Sequence, residues 1–216
     1  MNAAVVVYIF KRVPRLLVSL LVWLVVRLVY RPRVDGLENI PDNGPVLLAA
    51  NHVTYVDAFI LAATLARPVR FVMYYKFGKL PIVGTLLRWA RVIPIAGRSE
   101  NPEILRTAMD EIAEALDNGE AVCIFPEGSL TEDGEVRVFR KGIEHIVART
   151  PVAVVPIGLS GLWGSLFSRA RTRLRDVTLG KLSSRVGISV GAPIPVGHVS
   201  ADHVREQVAT LRGALA

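Results

Sequence analysis

The chain has 216 residues, carries a formal net charge of +7 and is 51% hydrophobic. This length suits one domain with its own core, and the single cysteine, Cys123, together with four scattered histidines, excludes an internal disulfide and gives no reason to expect a metal site. Residues 1–33 hold six cations and no acidic residue, so the rest of the chain is nearly neutral, which argues against nucleic-acid binding.

The first 33 residues combine apolar runs with these cations. Residues 16–26 are apolar except for Ser19, which falls short of the roughly 20 residues of a spanning helix, and Pro14 interrupts the segment. Three interpretations stay open: a helical hairpin or amphipathic pair resting in one leaflet, a single tilted span, or a buried core helix. The cations would attract anionic lipid headgroups. We therefore predict a membrane-associating helical segment over residues 1–33, followed by one domain over residues 34–216.

Strand and helix signals alternate along this domain. Residues 34–41 are expected to form a loop or strand edge. Short strands are predicted at 46–50, 69–73, 91–95, 121–125, 152–157, 176–179 and 186–190. Helices are predicted at 54–66, 101–118, 142–149 and 201–214, with a loop and short helix at 79–90. The alternation predicts an α/β fold, with a mostly parallel or mixed central sheet flanked by helices.

The helix over residues 101–118 has the clearest boundaries. Asn101 can cap its first turn, Pro102 suits the first helical position, and Glu103 is favourable near the positive end of the helix dipole. Gly119 suits the left-handed residue that follows a helix. Cys123, in the next predicted strand, is expected to be a core residue rather than a nucleophile.

The first candidate for chemistry is the segment 51–57, where a buried strand meets a helix. On a regular helix, His52 and Asp57 would point about 140° apart, because each residue turns the helix by about 100°. They can meet only if His52 precedes the helix and Asp57 lies in its first turn. Asp57 could then fix the imidazole tautomer, leaving the other ring nitrogen to accept a proton. The alternative is a capping pattern with Thr54 as the N-cap and His52 as an ordinary loop residue.

The second candidate is the segment 125–129, which follows a predicted buried strand. Glu127 could accept hydrogen bonds from substrate hydroxyls, and Gly128 allows close approach of the backbone to a ligand. The alternative is an ordinary turn at the end of a strand. Further along, Arg140 and Lys141 precede a short helix, where a phosphate could bind. A solvated surface pair is the alternative there, as it is for the arginines at 169, 171, 173 and 175.

Together these blocks resemble the glycerolipid acyltransferase family, which includes the lysophosphatidate acyltransferases. The family's marks are N-H-x-x-x-x-D, a Gly-to-Arg block, F-P-E-G-[S/T] and a late V-P-[I/V]. They lie here at residues 51–57, 84–98, 125–129 and 155–157, in the family's order. Residues 92–98 and 161–165 are most similar to a bacterial branch. Leu130 stands where the family often has Arg, so the family's usual phosphate-binding arginine is either absent here or replaced by Arg137, Arg140 or Lys141.

The resemblance implies an acyltransferase that acts without a bound cofactor or metal. It implies His52 as general base and Asp57 as its partner. The substrate-binding residues that it implies are Asn51, Arg98, Glu127, Gly128, Ser129, Arg140 and Lys141. The donor would be a thioester of coenzyme A or acyl carrier protein, attacked directly by the hydroxyl of a lysophospholipid. The expected acceptor is 1-acylglycerol-3-phosphate, as in phospholipid biosynthesis.

The expected location follows from the same resemblance and from the basic N-terminal segment. It is the cytoplasmic face of a bacterial inner membrane, with membrane lipids and acyl carrier protein as partners. Three alternatives for the activity remain open. They are acylation of another lysolipid, such as lysophosphatidylethanolamine or a lyso-aminolipid, a non-catalytic lipid-binding module of the same fold, and a thioester hydrolase.

Overall fold

The computed structural model describes residues 20, 23–24, 26–165, 167–168 and 186–214. Most of the predicted membrane-associating segment lies outside the described residues. So do the predicted strand at 176–179 and the arginines at 169, 171, 173 and 175.

Within the described residues, the chain forms one seven-stranded sheet with the order β1-β7-β6-β2-β5-β3-β4. The strands are β1 (Arg33–Asp35), β2 (Val46–Ala50), β3 (Val69–Tyr74), β4 (Ile93–Ile95), β5 (Ala121–Ile124), β6 (Val154–Ser160) and β7 (Gly187–Val190). All neighbouring strands are parallel except β6 and β7, which are antiparallel. The predicted α/β fold with a mixed central sheet is confirmed.

Helices connect most of these strands. They are α1 (Asp57–Thr64), α2 (Pro81–Trp89), α3 (Pro102–Asp117), α4 (Gly142–Arg149) and α5 (Ala201–Ala214). Short 3-10 helices lie at Leu37–Asn39, Tyr75–Lys79 and Val196–His198. The predictions for α3, α4 and α5 agree with the structure to within a residue at each end. The predicted helix 54–66 is too long at both ends, because its first residues form the turn that holds Asp57 and its last ones precede Pro68.

Strand β2 lies at the centre of the core and is buried along its whole length. Its residues alternate between two apolar clusters, one on each face of the sheet. Leu48 packs with Ile60 and Leu61 of α1, whereas Leu47 packs with Ile112 of α3 and with residues of α4 and α5. A strand covered on both faces has a continuous apolar sequence, which is why residues 46–50 show no polar alternation.

Two strands differ from the sequence-based predictions because their partners are far away in the chain. Strand β1 has only three residues and pairs with β7, so no local signal marked it as more than a strand edge. Strand β6 continues three residues beyond the predicted end at Ile157, because residues 157–160 pair with β7. Gly158 lies in this extension, and helix α5 packs against it. A Cβ at Gly158 would lie 2.3 Å from the backbone nitrogen of Arg212 on α5, so only glycine lets the helix pack so closely.

The described end of the N-terminal segment is helical over residues 26–29. Val26 and Tyr30 are buried in the core, whereas Trp23, Leu24 and Leu28 are exposed. Among the described residues, no helix is both long and apolar enough to cross a membrane. Association of residues 1–33 with a membrane therefore stays a prediction.

The cap of α3 gives a test of the fold. The side chain of Asn101 accepts a hydrogen bond from the backbone N–H of Ile104 at 3.0 Å, as predicted. Asn101→Ala should lower the free energy of unfolding by about 1 kcal/mol, because it leaves that N–H without its cap, whereas Asn101→Ser should retain most of the stability. Urea denaturation measures both. Asn118→Ala at the other end of the helix is the matched control, and an equal loss there would contradict the capping role.

Candidate active site

The candidate segments around His52 and Glu127 meet at one edge of the sheet. Strand β2 lies between β5 and β6, and all three are parallel. The residues that follow parallel strands emerge at the same edge, which is where open α/β sheets bind ligands. His52 follows β2 and Glu127 follows β5. The two are in direct contact, since the backbone N–H of His52 donates a hydrogen bond to Oε1 of Glu127 at 2.9 Å.

His52 and Asp57 form a hydrogen-bonded pair. Nδ1 of His52 lies 2.9 Å from Oδ2 of Asp57. Helix α1 begins at Asp57, so His52 precedes the helix and Asp57 lies in its first turn. This is the arrangement that the five-residue spacing required. Because a carboxylate only accepts hydrogen bonds, Nδ1 carries the proton, and the lone pair of the imidazole is on Nε2.

Asp57 is fully buried and is held by donors from its own turn. Its carboxylate accepts hydrogen bonds from the backbone N–H of Val53 at 2.7 Å and of Thr54 at 2.9 Å, and also from the Thr54 hydroxyl. The structure does not adopt the alternative with Thr54 as the N-cap, because the helix begins three residues later and Val56 takes that position. Thr54 instead donates to Asp57, so the short segment both starts the helix and fixes the Asp57 carboxylate.

The imidazole ring of His52 stacks on the ring of Phe125. The ring centroids are 4.2 Å apart and the planes differ by 20°. The side chain is 23% exposed, and among the described residues no protein group bonds to Nε2. Stacking and the bond to Asp57 therefore fix the ring on one side and leave the basic nitrogen open on the other. Phe125 belongs to the second candidate segment, but the sequence analysis assigned it no role in the site, although an aromatic residue directly after a buried strand is a visible signal.

Glu127 has a different arrangement from the one expected for a substrate-binding residue. It is only 3% exposed, and its second oxygen, Oε2, accepts the backbone N–H of Arg137 at 3.2 Å. Both oxygens are thus occupied by the main chain. Burial raises the pKa of Glu127, and the N–H groups of His52 and Arg137 offset part of that rise. Glu127 braces the His52 segment against the loop of residues 130–141, which we call the cation loop. Its contact with substrate hydroxyls stays a prediction.

Asn51 is also buried and bonded to the main chain. Its amide nitrogen donates to the carbonyl oxygen of Leu159 at 3.0 Å, and its amide oxygen accepts the N–H of Leu159 at 2.7 Å. The side chain thereby continues the pairing of β2 with β6 beyond the end of β2. Asn51 fixes where the main chain turns towards His52, and its predicted contact with substrate is untested.

Four further candidate substrate-binding residues follow Glu127 in the chain. The guanidinium of Arg140 donates through Nε to the carbonyl oxygen of Glu127 at 3.3 Å. Gly128 has a φ of +71°, and a Cβ there would lie 2.6 Å from that same Nε, so glycine is required for the guanidinium to sit where it does. Ser129 is half-buried and follows directly, while Lys141 is exposed beside Arg140.

Arg98 lies apart from this group. It occupies an exposed turn after β4, the edge strand, with β3 and β5 between it and β2. No hydrogen bond or ion pair within the described residues connects Arg98 to the site. Leu130, which replaces the arginine common in the resembling family, is buried, so that position presents no group to a phosphate. The structure brings together His52, Asp57, Glu127, Gly128 and Arg140, but it does not bring Arg98 into contact with them.

The fold and the site together define a class of protein. They describe an α/β domain with an Asp-oriented histidine, open to a ligand at the carboxyl edge of a mixed sheet, as general-base catalysis requires. A family model described as Acyltransferase matches residues 31–160. The chain belongs to this Acyltransferase family.

The chain is similar in sequence to several proteins named as acyltransferases. The chain is 32% identical over 133 residues to a chloroplastic 1-acyl-sn-glycerol-3-phosphate acyltransferase of Arabidopsis thaliana, covering 61% of this chain and 36% of the relative. It is 30% identical over 128 residues to a protein of Borreliella burgdorferi with the same activity in its name, covering 58% of this chain and 50% of the relative. It is 29% identical over 116 residues to a lyso-ornithine lipid O-acyltransferase of Pseudomonas aeruginosa, covering 54% of this chain and 43% of the relative.

The chain therefore spans no more than half the length of these curated relatives. Among solved structures, the 1-acyl-sn-glycerophosphate acyltransferase of Thermotoga maritima matches with a TM-score of 0.67 and 23% identity. The match covers 85% of this chain and 71% of that one. At this level of identity, the structural match supports the fold.

The buried carboxyl of Glu127 gives a prediction on pH. Its pKa is raised above the ordinary value of 4.5 in the folded protein, so ionisation costs more in the folded than in the unfolded chain. The contribution of Glu127 to stability is therefore greatest below the ordinary pKa and is lost as pH rises through the raised one. Relative to Glu127→Gln, the wild type should lose unfolding free energy as pH rises from about 4 to about 7.

Urea denaturation of the two proteins across this range gives the measurement. The difference between them isolates Glu127 from the other carboxyl groups, and Glu114→Gln, at an exposed position of α3, reports the effect of removing a surface carboxylate. A difference that stays constant with pH, or that moves in favour of the wild type, would contradict the raised pKa.

Proposed function

We propose that this chain transfers a fatty acyl group from an acyl thioester to the free hydroxyl of a lysophospholipid, with 1-acylglycerol-3-phosphate as the acceptor. The observation that carries the proposal is the geometry of His52. Its Nδ1 is held by a buried carboxylate at 2.9 Å, and its Nε2 is open at the sheet edge. Membership of the Acyltransferase family and the names of the relatives support the same reaction.

In the proposed reaction, Nε2 of His52 takes the proton of the acceptor hydroxyl as the oxygen attacks the thioester carbonyl. A new C–O bond forms, the C–S bond breaks, and the thiolate leaves with the proton that the imidazolium returns. Asp57 stabilises the imidazolium without itself being protonated. Backbone N–H groups near Gly128 or Asn51 are the candidates for stabilising the oxyanion. The donor is an acyl thioester of coenzyme A or acyl carrier protein.

Binding of the acceptor phosphate is assigned to the cation loop. Arg140 and Lys141 lie after the Glu127 turn, and both residues are exposed. Arg137 is less available, because its guanidinium already bonds the carbonyl oxygen of Leu130 and the carboxylate of Glu132. A guanidinium and an ammonium from consecutive residues match a phosphate monoester in charge, and each charge-assisted bond is stronger than a neutral one. This gives the loop, rather than Arg98, the principal role.

Replacement of His52 tests the reaction. His52→Ala should lower the rate of acyl transfer by about 10²–10⁴-fold, the usual contribution of a positioned general base, while circular dichroism and thermal melting show a folded protein. The assay offers labelled acyl-coenzyme A and acyl carrier protein thioesters to purified protein in detergent, against a panel of lysolipids. His198→Ala, at an exposed histidine in a 3-10 helix, is the matched control.

The products of the same assay separate the alternatives. A diacyl lipid made by the wild type and by His198→Ala, but not by His52→Ala, supports the proposal and identifies donor and acceptor. Near-normal transfer by a folded His52→Ala protein removes His52 as the base. Free fatty acid without dependence on an acceptor indicates a thioesterase, and lysolipid binding without any transfer indicates a binding module.

The role of the cation loop has its own test. The variants Arg140→Gln and Lys141→Gln should each raise the KM for 1-acylglycerol-3-phosphate about 10–100-fold, with a much smaller change in kcat, because a lost charge-assisted hydrogen bond costs about 1.5–3 kcal/mol. An acceptor without phosphate, such as a lyso-ornithine lipid, should be affected little.

Two further variants are measured in the same assay. Arg98→Gln tests the alternative phosphate site, and Arg106→Gln, at an exposed position of α3, is the matched control. A rise in KM for Arg98→Gln alone would move the phosphate site to the edge of the sheet. Equal effects of Arg140→Gln on acceptors with and without phosphate would contradict phosphate recognition by this loop.

A further inference from the structure

A set of aromatic side chains extends outward from the His52–Asp57 segment. Tyr55 contacts Phe77 edge to face at a centroid distance of 6.2 Å. Phe77 contacts Tyr74 at 6.3 Å, and Tyr74 contacts Tyr75 at 5.1 Å. Tyr55 is 49% exposed and Tyr74 37% exposed. We call these four residues, with Lys76 and Lys79, the aromatic patch.

The two lysines of the patch lie over its rings. The ammonium of Lys76 is 5.4 Å from the ring centroid of Tyr74, and that of Lys79 is 5.3 Å from the ring centroid of Tyr75. Glu100 pairs with Lys76 at 2.8 Å and accepts a hydrogen bond from the Tyr74 hydroxyl at 2.6 Å. Glu100 thus balances one of the two positive charges. The lysine ammonium groups and the tyrosine hydroxyls thus lie beside the aromatic rings. With Glu100 counted, the patch carries a net charge of +1.

The patch lies at the same edge of the sheet as the catalytic pair. Tyr55 is between His52 and Asp57 in sequence, and Tyr74 is the last residue of β3. Strands β3, β5 and β2 are consecutive neighbours and parallel, so their carboxyl ends share one edge. A surface that docks through the patch therefore covers the side of the domain on which His52 is open.

We propose that the aromatic patch docks on the headgroup layer of a phospholipid membrane that contains anionic lipid. Tyrosine, with an apolar ring and a polar hydroxyl, favours the membrane–water interface, and lysine places its alkyl stem along apolar surface while its ammonium reaches phosphate. Exposed aromatic groups with a small excess of positive charge fit this layer. The inference rests on the proposed function, since a lipid acceptor must reach His52 from the membrane.

An acidic protein partner fits the patch less well. Docking of an acidic protein depends on an excess of positive charge over the contact surface. Here Glu100 offsets Lys76, which leaves one net positive charge beside the two exposed rings of Tyr55 and Tyr74. The composition of the patch therefore favours a lipid surface, and binding of acyl carrier protein there becomes an outcome of the test.

An environment-sensitive probe tests the docking without any substrate. Leu80 directly follows the 3-10 helix that carries the patch and is 49% exposed. Leu80→Cys, labelled with a nitrobenzoxadiazole dye, should shift its emission to shorter wavelength and gain intensity on vesicles of phosphatidylcholine and phosphatidylglycerol. Quenching by doxyl lipids should confirm insertion. The native Cys123 is fully buried, and the unsubstituted protein shows how much label it takes.

Val196→Cys is the matched control. Val196 is also an exposed apolar residue of a 3-10 helix. It lies near the opposite edge of the sheet, because the neighbouring Ile194 bridges to Val154, the first residue of β6. A probe at residue 196 should stay in water. The double variant Lys76→Gln with Lys79→Gln, carried on the Leu80→Cys background, should weaken the response to phosphatidylglycerol.

Flotation of the labelled proteins with vesicles shows whether they are bound at all. A bound protein whose probe at residue 80 stays in water overturns the proposal, as do equal responses at residues 80 and 196, or failure to bind. A response to purified acyl carrier protein but not to vesicles assigns the patch to that partner instead. Acyl transfer by the wild type in detergent is measured separately. Lost docking with intact transfer rejects only this inference, and intact docking without transfer rejects only the proposed function.

Discussion

The buried carboxylate of Asp57 is the constraint on which the site depends. A charged group without exposure is tolerated only when hydrogen bonds and an opposite or polar partner replace the lost water. Its donors here are the main chain of Val53 and Thr54, the Thr54 hydroxyl, and the ring of His52. These bonds determine the tight turn after β2, the start of α1, and the tautomer of the histidine. The pKa of the Tyr30 hydroxyl is also raised, first by burial and then by electrostatic repulsion from the Asp57 carboxylate.

A second group of buried polar contacts carries this local geometry into the rest of the sheet. Asn51 ties the end of β2 to β6, and Glu127 ties it to the cation loop. Helix α5 then holds the same loop from outside. Arg212 forms two hydrogen bonds to Glu135, and Arg205 bonds the carbonyl oxygens of residues 136 and 137. The support of the site thus extends to α5, beyond the residues that the family model matches.

Local signals made the central elements of the fold and the cap of α3 predictable. The spacing of His52 and Asp57 defined the one arrangement in which the two can meet, and the resemblance to the acyltransferases, not the spacing, favoured that pair over a capping pattern. Contacts between distant segments were not predictable in this way. The pairing of β1 with β7 and the extension of β6 depend on partners that periodicity does not identify. The same limit applies to Glu127, because its two main-chain partners at residues 52 and 137 come from different loops. A carboxylate in a turn looks free for substrate until these partners are known.

The partial exposure of His52 makes its chemistry depend on the surface around it. A thioester attacked by an activated hydroxyl can equally be attacked by activated water, so the outcome depends on which of the two reaches Nε2. Nothing in the imidazole–carboxylate pair distinguishes one oxygen nucleophile from the other. Exclusion of water from a site also strengthens its electrostatic interactions, because the effective dielectric constant falls. If the aromatic patch docks as proposed, the membrane covers the open side of His52 and supplies the acceptor from the same direction. The selection of a lipid hydroxyl over water then depends on the sheet edge and the aromatic patch together.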